Sequence, residues 1–263
     1  MPAPSAVGTV LLVSTTGLGD TVMATPSFAA ARESWPHARI NALLHRRWAD
    51  LLAACPHLDE IIVYPGKFRR VVSLVRRLRR LRPDVAVILH GNDPDIVPLT
   101  WLSGAGFIVG RSTSRLAFLM DKTVDLTDPG RPVVEKFLDL IQAAAGPVAP
   151  RGEEIFLSDQ SRVWAEEYWR EKGLGPGEKL VALNPGGSRQ AKRWPDEHWR
   201  SLMDRLHRRT DTRLALFGSP GEKAYLEGLV WGLEGPEAFV VTRPRLSEAA
   251  ALLARAEVLV APD

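Results

Sequence analysis

The sequence predicts an α/β protein made of two doubly wound domains, each with helices on both faces of a parallel sheet. Three observations predict this. Short apolar runs alternate with amphipathic stretches of helical period along most of the chain. The length of 263 residues suits two domains of about 100–150 residues each. A Gly/Pro-rich patch from Ala145 to Gly152 breaks the alternation near the middle. The hinge is expected there or a little later, giving domains 1–150 and 151–263.

Taken in order, Val10-Leu-Leu-Val13 reads as the first strand, followed by the turn Ser14-Thr-Thr-Gly-Leu-Gly-Asp20. A helix is expected from about Thr21 to Ser34, with Val22, Phe28 and Ala29 on one side. Strands are expected near 39–44, 60–63, 84–89 and 107–109, and helices near 46–54, 68–81 and 133–145. The strand near 84–89 ends at His90-Gly91-Asn92. In the second domain the helices are expected near 159–172, 196–209, 221–231 and 247–255, the last opened by Ser247 and Glu248. The matching strands lie near 180–183, 214–217, 238–241 and 258–260. The sequence stops at Asp263, at a strand end where ligands of such sheets sit. The second domain is therefore expected to be incomplete.

Composition narrows the function classes. At 45% hydrophobic and 25% charged residues, the chain reads as soluble and globular. Cys55 stands alone, which leaves no disulfide framework or Cys-based zinc site and suits a reducing compartment. No apolar run nears the ~20 residues that span a bilayer, and the N-terminus lacks a secretory n-region. A cytoplasmic protein is expected. The net charge is +3, yet the segment from Lys67 to Arg82 alone holds eight cations and no acid, so the remainder is net acidic.

The most informative stretch is Leu180 to Trp199. A buried strand stops at Asn184-Pro-Gly-Gly-Ser188, where Gly186 and Gly187 let the backbone approach a ligand closely. Lys192 and Arg193 follow, and a helix begins near Pro195 with Asp196 and Glu197 in its first turn. Strand, glycine turn, cations and helix start together make a seat for phosphate; singly, each is ordinary loop chemistry. Gly17-Leu-Gly-Asp-Thr-Val22 echoes a dinucleotide fingerprint but has Val22 at its third glycine, and the next strand offers no acid for a ribose. No G-x-x-x-x-G-K-[ST] loop is present, and the six histidines lack metal-ligand spacing.

Three features stay open on the residues alone. Asp20, at a helix start, is a general base or an N-cap. His90 and Asn92, just past a strand end, are cleft residues lining an acceptor or ordinary loop residues. The helix near 68–81 is expected to turn Val71, Val72, Leu74, Val75, Leu78 and Leu81 inward and arginines outward, Arg76, Arg77 and Arg80 among them. That basic face is simply solvated, or it rests against an anionic membrane surface or acidic acceptor. No nucleic-acid motif supports binding of that polymer.

Four blocks resemble glycosyltransferase family 9, the heptosyltransferases of the lipopolysaccharide inner core: Leu18 to Pro26; Asn184 to Ser188 with Lys192 to Pro195; Leu216 to Glu222; and Leu246 to Asp263. The resemblance implies a GT-B fold, two Rossmann-like domains facing a cleft, here with the C-terminal one truncated. It implies inverting, metal-independent transfer without a cofactor, from a nucleoside-diphosphate sugar such as ADP-heptose to a lipid-linked or saccharide acceptor. Carried over, Asp20 is the base. Thr16 lies near the donor phosphates, Lys192 with Ser188 neutralises the leaving diphosphate, Glu222 holds the ribose, and Asp263 opens the loop gripping the sugar. Gly187 belongs to the same donor loop. The family usually has Lys or Arg six residues before the aspartate, where this chain has Ser14. That departure and the missing tail favour the alternative, a non-catalytic nucleotide or saccharide binder of the same fold.

Overall fold

A computed structural model describes residues 3–90, 93–175, 177–186, 193–208, 212–233, 238–242 and 245–262. The chain divides into two compact units, Met1–Phe156 and Leu157–Asp263. The division falls after Phe156 rather than at 150 because Val148, Ile155 and Phe156 pack against the first unit's core.

In the first unit the strands are β1 Thr9–Ser14, β2 Arg39–His45, β3 Glu60–Tyr64, β4 Val85–His90, β5 Phe107–Arg111 and β6 Lys122–Val124. They form a parallel sheet in the order β3-β2-β1-β4-β5-β6. Central β1 shows why an unbroken apolar run suits this place: side chains alternate, so both faces need apolar cover. Val10 and Leu12 join the core with Phe28, Trp35, Phe137 and Ile141. Leu11 and Val13 join the opposite core with Leu74, Leu78, Ile96 and Ile108. Each buried Leu contributes about 1.5–3 kcal/mol by leaving water.

The helices here are α1 Leu18–Met23, α2 Thr25–Ser34, α3 Val71–Leu81, α4 Ile96–Leu102 and α5 Val133–Ala145. The single helix expected from Thr21 to Ser34 is two. Pro26 cannot donate to the carbonyl of Val22 and its ring would clash there, so the chain breaks at Ala24 and restarts with Pro26 in the new first turn. The helix expected at 46–54 is only a 3₁₀ turn, Ala49–Leu52, with Pro56 close behind. Helix α3 starts at Val71, because Phe68 and Arg70 take left-handed φ values of 55° and 50°. The backbone N–H of Phe68 instead donates to Asp95 Oδ2 at 2.9 Å. Helix α4 and strand β6 were not anticipated; Pro98 sits in the first turn of α4, where no donor is needed.

The second unit contains α6 Asp159–Glu171, β7 Lys179–Leu183, α7 Asp196–His207, β8 Thr212–Phe217, α8 Lys223–Val230, β9 Phe239–Val241, α9 Leu246–Leu253 and β10 Val258–Val260. Its parallel sheet runs β10-β7-β8-β9. Read from β9, this is the order of the first four strands of the other unit: third, second, first, fourth. Leu180 and Ala182 face Trp169 and Leu252, while Leu183 packs with Trp199, Met203 and Leu226 on the other side. Helix α8 starts at Lys223 after a 3₁₀ turn, Pro220–Glu222, and α9 is capped at Arg245, ahead of Ser247.

Candidate active site

In a doubly wound sheet, adjacent crossovers leave in opposite directions beside the first strand, and the crevice beyond that strand's carboxyl end receives the ligand. In the first unit this point lies between β1 and β4. The pairing there is irregular: Val13 is opposite Ile88, but Ser14 is opposite His90, so Leu89 is an extra residue. Leu89 joins the same core as Phe137, and the His90 ring packs edge-on to Phe137 with centroids 5.8 Å apart. Strict alternation would have sent His90 to the opposite face with Ile88.

His90 thereby meets the turn after β1. Its Nδ1 lies 2.5 Å from Thr16 Oγ1, and Thr16 Oγ1 donates to Asp20 Oδ2 at 2.9 Å. Asp20 Oδ1 is 3.6 Å from His90 Nε2. The backbone N–H of Gly17 also donates to Asp20 Oδ2, at 3.1 Å. Gly17 is the N-cap of α1 and Asp20 sits three residues inside it. The capping alternative is thus corrected in position: Asp20 helps close the first turn from within, and its carboxylate lies where the helix dipole favours negative charge. The Trp48 indole holds the turn from the other side, donating to the Thr16 carbonyl at 2.6 Å.

The electrostatics follow from burial. Desolvation lowers the His90 pKa below its usual 6.5; Arg111 adds to this and Asp20 opposes it. Ser14 and Thr15 are buried at the end of β1, and their hydroxyl oxygens have no hydrogen-bond partner among the described residues. Ser14 stands where the resemblance led us to expect a cation. Nearby, a cavity of about 530 Å³ is lined by Asp93, Arg111, Thr113, Ser114 and Arg115 with Ile88 and Val97. Sequence reading missed this lining. The signal was available: Arg111-Ser-Thr-Ser-Arg115 leaves the end of β5, and two cations with three hydroxyls suit an anionic or polyhydroxylated ligand.

In the second unit, the equivalent crevice lies beyond β7. Asn184 continues the sheet by donating from its backbone to the Val260 carbonyl. A Cβ on Gly186 would lie 2.5 Å from Glu222 Oε1, so only glycine fits that approach without displacing the carboxylate. Glu222 Oε2 is anchored by Ser219, through its N–H at 2.9 Å and its hydroxyl at 2.6 Å. Arg193 Nη2 lies 3.8 Å from Glu222 Oε1, and its guanidinium sits 5.7 Å from the Tyr225 ring centroid. Tyr225 donates to Asp196 at 2.9 Å, and burial first, then that carboxylate, pushes its phenol up to about 12. Tyr225 was not singled out from the sequence, and Arg193 was expected as a cation of the phosphate seat rather than as a neighbour of Glu222 and Tyr225. Trp194 stacks on His198 with ring planes 15° apart.

The structure thus brings Thr16, Asp20 and His90 together and puts Glu222 against the glycine turn. Asn92, Gly187, Ser188, Lys192 and Asp263 lie outside the described residues. Arg76, Arg77 and Arg80 are exposed on α3, but Arg77 is tied to Glu60 at 2.8 Å, a carboxylate shared with Arg39. No helix among the described residues is long and apolar enough to cross a membrane.

Comparison with known proteins gives this geometry a lineage. Residues 71–263 match the model of glycosyltransferase family 9 (heptosyltransferase). Lipopolysaccharide heptosyltransferase 3 of Escherichia coli strain K12 is 22% identical over 261 residues, covering 93% of this chain and 74% of that protein. The crystal structure of a family 9 glycosyltransferase from Veillonella parvula superposes with a TM-score of 0.87 at 22% identity, covering 97% of this chain and 74% of that one. E. coli ADP-heptose lipopolysaccharide heptosyltransferase II superposes with a TM-score of 0.81 at 20% identity, over 97% and 79% of the two chains. The α/β architecture with parallel sheets is that of these GT-B structures. With the family model matching well over half of its length, the chain belongs to glycosyltransferase family 9 and is a glycosyltransferase.

Proposed function

We propose that this protein transfers heptose from ADP-heptose to a saccharide of the lipopolysaccharide core, with inversion at the anomeric carbon and without a metal. The observation that carries the reading is the Asp20 carboxylate, held by Thr16 and Gly17 at the crevice beyond β1. In this reading Asp20 removes the proton of the acceptor hydroxyl while that oxygen attacks the anomeric carbon. The bond to the departing diphosphate breaks as the new glycosidic bond forms. Charge then builds on the diphosphate, and Lys192, Ser188 and the backbone at Gly187 stabilise it. Thr16 lies near the donor phosphates, Glu222 takes the ribose hydroxyls, and Asp263 opens the loop around the sugar. No separate cofactor is needed, because the nucleotide-sugar is itself the co-substrate.

The names of the similar proteins support ADP-heptose and lipopolysaccharide as the substrates to try first. The acceptor side of the reading rests on the cavity lined by Arg111 and Arg115 and on His90 beside Asp20, with Asn92 proposed from the sequence alone. The region of α3 adds a proposed peripheral contact with anionic lipid: Phe68, just before the helix, and Val72, expected inside but turned about 100° from Val71, are each 64% exposed beside Arg76 and Arg80. Incubation with ADP-heptose and core saccharides, with and without a chelator, tests the proposal. The expected result is ADP release coupled to a β-to-α or α-to-β change in the product's linkage, unaffected by chelator and abolished in Asp20→Ala. ADP-heptose binding by calorimetry without turnover would instead favour a non-catalytic binder.

A further inference from the structure

The Thr16, Asp20 and His90 contacts fix where the protons are. An ionised carboxylate only accepts hydrogen bonds, so the 2.9 Å contact with Asp20 uses the single proton of the Thr16 hydroxyl. The 2.5 Å contact between Thr16 Oγ1 and His90 Nδ1 therefore needs a proton on Nδ1. A neutral ring has only one such proton. Its other nitrogen, Nε2, is then a bare acceptor, and it faces Asp20 Oδ1 at 3.6 Å. An ionised carboxylate and a bare nitrogen have no proton to share, which accounts for a gap wider than a hydrogen bond.

We propose that His90 receives through Nε2 the proton that Asp20 takes from the acceptor hydroxyl, while Thr16 holds the ring in register. The step rests on the transferase reading above and deepens it. The acceptor O–H bond breaks, its electron pair forms the new bond to the anomeric carbon, and the sugar–phosphate bond breaks toward the diphosphate. The proton moves to Asp20 Oδ1 and from there to Nε2, closing the 3.6 Å gap to the roughly 2.6–3.2 Å of a hydrogen bond. Asp20 is again a carboxylate, now paired with an imidazolium that donates from both nitrogens, and the proton later leaves to water. His90 acts through Asp20 and is a positioning and proton-holding residue.

The surroundings suit a ring that starts neutral. Phe137 covers one side. The charged groups acting on it are Arg111 from β5, which disfavours the imidazolium, and Asp20, which favours it. Asp20 can hold the imidazolium only in its ionised form, which is the form this transfer restores.

Nitrogen NMR of the ¹⁵N-histidine-labelled chain reads the starting state without turnover. The expected signature is a neutral His90 with its proton on Nδ1, and a pKa that falls further in Asp20→Asn. A neutral ring protonated on Nε2 would overturn the proposal. Kinetics with ADP-heptose and a core saccharide give the second arm. His90→Gln should lower kcat about tenfold with KM for ADP-heptose unchanged. It should also move the acid limb of the rate profile to lower pH, because the group that must stay neutral is gone. An unchanged pH profile would refute the relay. If His90→Gln folds poorly, Thr16→Val should reproduce the kcat loss and Thr16→Ser should restore it; full activity in Thr16→Val would also refute the relay. Wild-type protein inactive toward all core saccharides would sink the transferase reading, while the ring's tautomer would still decide the proton geometry.

Discussion

The two units run their first four strands in the same order, yet they furnish the crevice beyond the first strand in opposite ways. Beyond β1 the crevice is filled by side chains: a carboxylate, a hydroxyl and an imidazole within hydrogen-bond range or just outside it. Beyond β7 the last described residue of the turn, Gly186, brings none of its own. Gly186 leaves no space for a Cβ, and the carboxylate of Glu222 occupies what a side chain would have taken. The topology sets where a ligand goes. The residue at the strand end sets whether the protein meets it with titrating groups, suited to moving a proton, or with bare backbone, suited to close approach by a phosphate.

That contrast can be broken from either side. The largest effect is expected from Asp20→Asn, which keeps the shape of the first crevice and removes its base. Transfer should fall by about 10²–10⁴-fold in kcat, as for loss of a general base. The melting curve should move by no more than the loss of a cap, about 1 kcal/mol. A variant with full activity would mean that the two crevices are not chemically distinct. Gly186→Ala tests the other side. Its methyl group would displace a carboxylate held by two hydrogen bonds from Ser219, so a cost of about 1–3 kcal/mol in denaturant unfolding is expected, with weakened ADP affinity. If Gly186→Ala binds ADP like the parent, the glycine is not there for a ligand.

A pH series sharpens the comparison further. His45, His57 and His90, all in the first unit, are held below their usual pKa chiefly by burial. Such groups fold more readily uncharged. Their stabilising effect is full above about 6.5, the unfolded value, and is lost as pH falls below it toward the depressed folded values. Hydrogen exchange should therefore show amides of β1, β2 and β4 losing protection between pH 7 and 5. Equal loss in β7 and β8 would contradict the assignment. The smallest effect is expected at the surface. Reversing Arg76 and Arg80 to Glu should reduce binding to vesicles containing anionic lipid, with stability unchanged to about 0.5 kcal/mol. Unchanged vesicle binding would make that face merely solvated.

The sheets were legible in the sequence because a buried parallel strand needs apolar residues on both faces, and Val10 to Val13 and Leu180 to Leu183 supply them without interruption. The candidate residues Asp20 and His90 were legible singly, each by its place after a strand. Their connection through Thr16 was not, since 74 positions separate Thr16 from His90 and only the β1–β4 pairing joins them. Helix ends were read less well. Pro26 divides a helix that periodicity alone continues, and the short helix Ile96–Leu102 was not anticipated at all. The contact of Arg193 with Tyr225 likewise depends on how α7 and α8 come together, which local pattern does not encode.

The additional residue Leu89 in β4 has a bearing on engineering. Deleting it would make the strand regular, but His90 would then follow Ile88 directly and take the place of Leu89. Alternation would keep the imidazole on the Phe137 face, so the ring would stay on the side of Asp20 while an apolar side chain is lost from the sheet. In this protein the flaw in the weave carries a packing side chain next to the functional one, and smoothing it would cost the core rather than the centre.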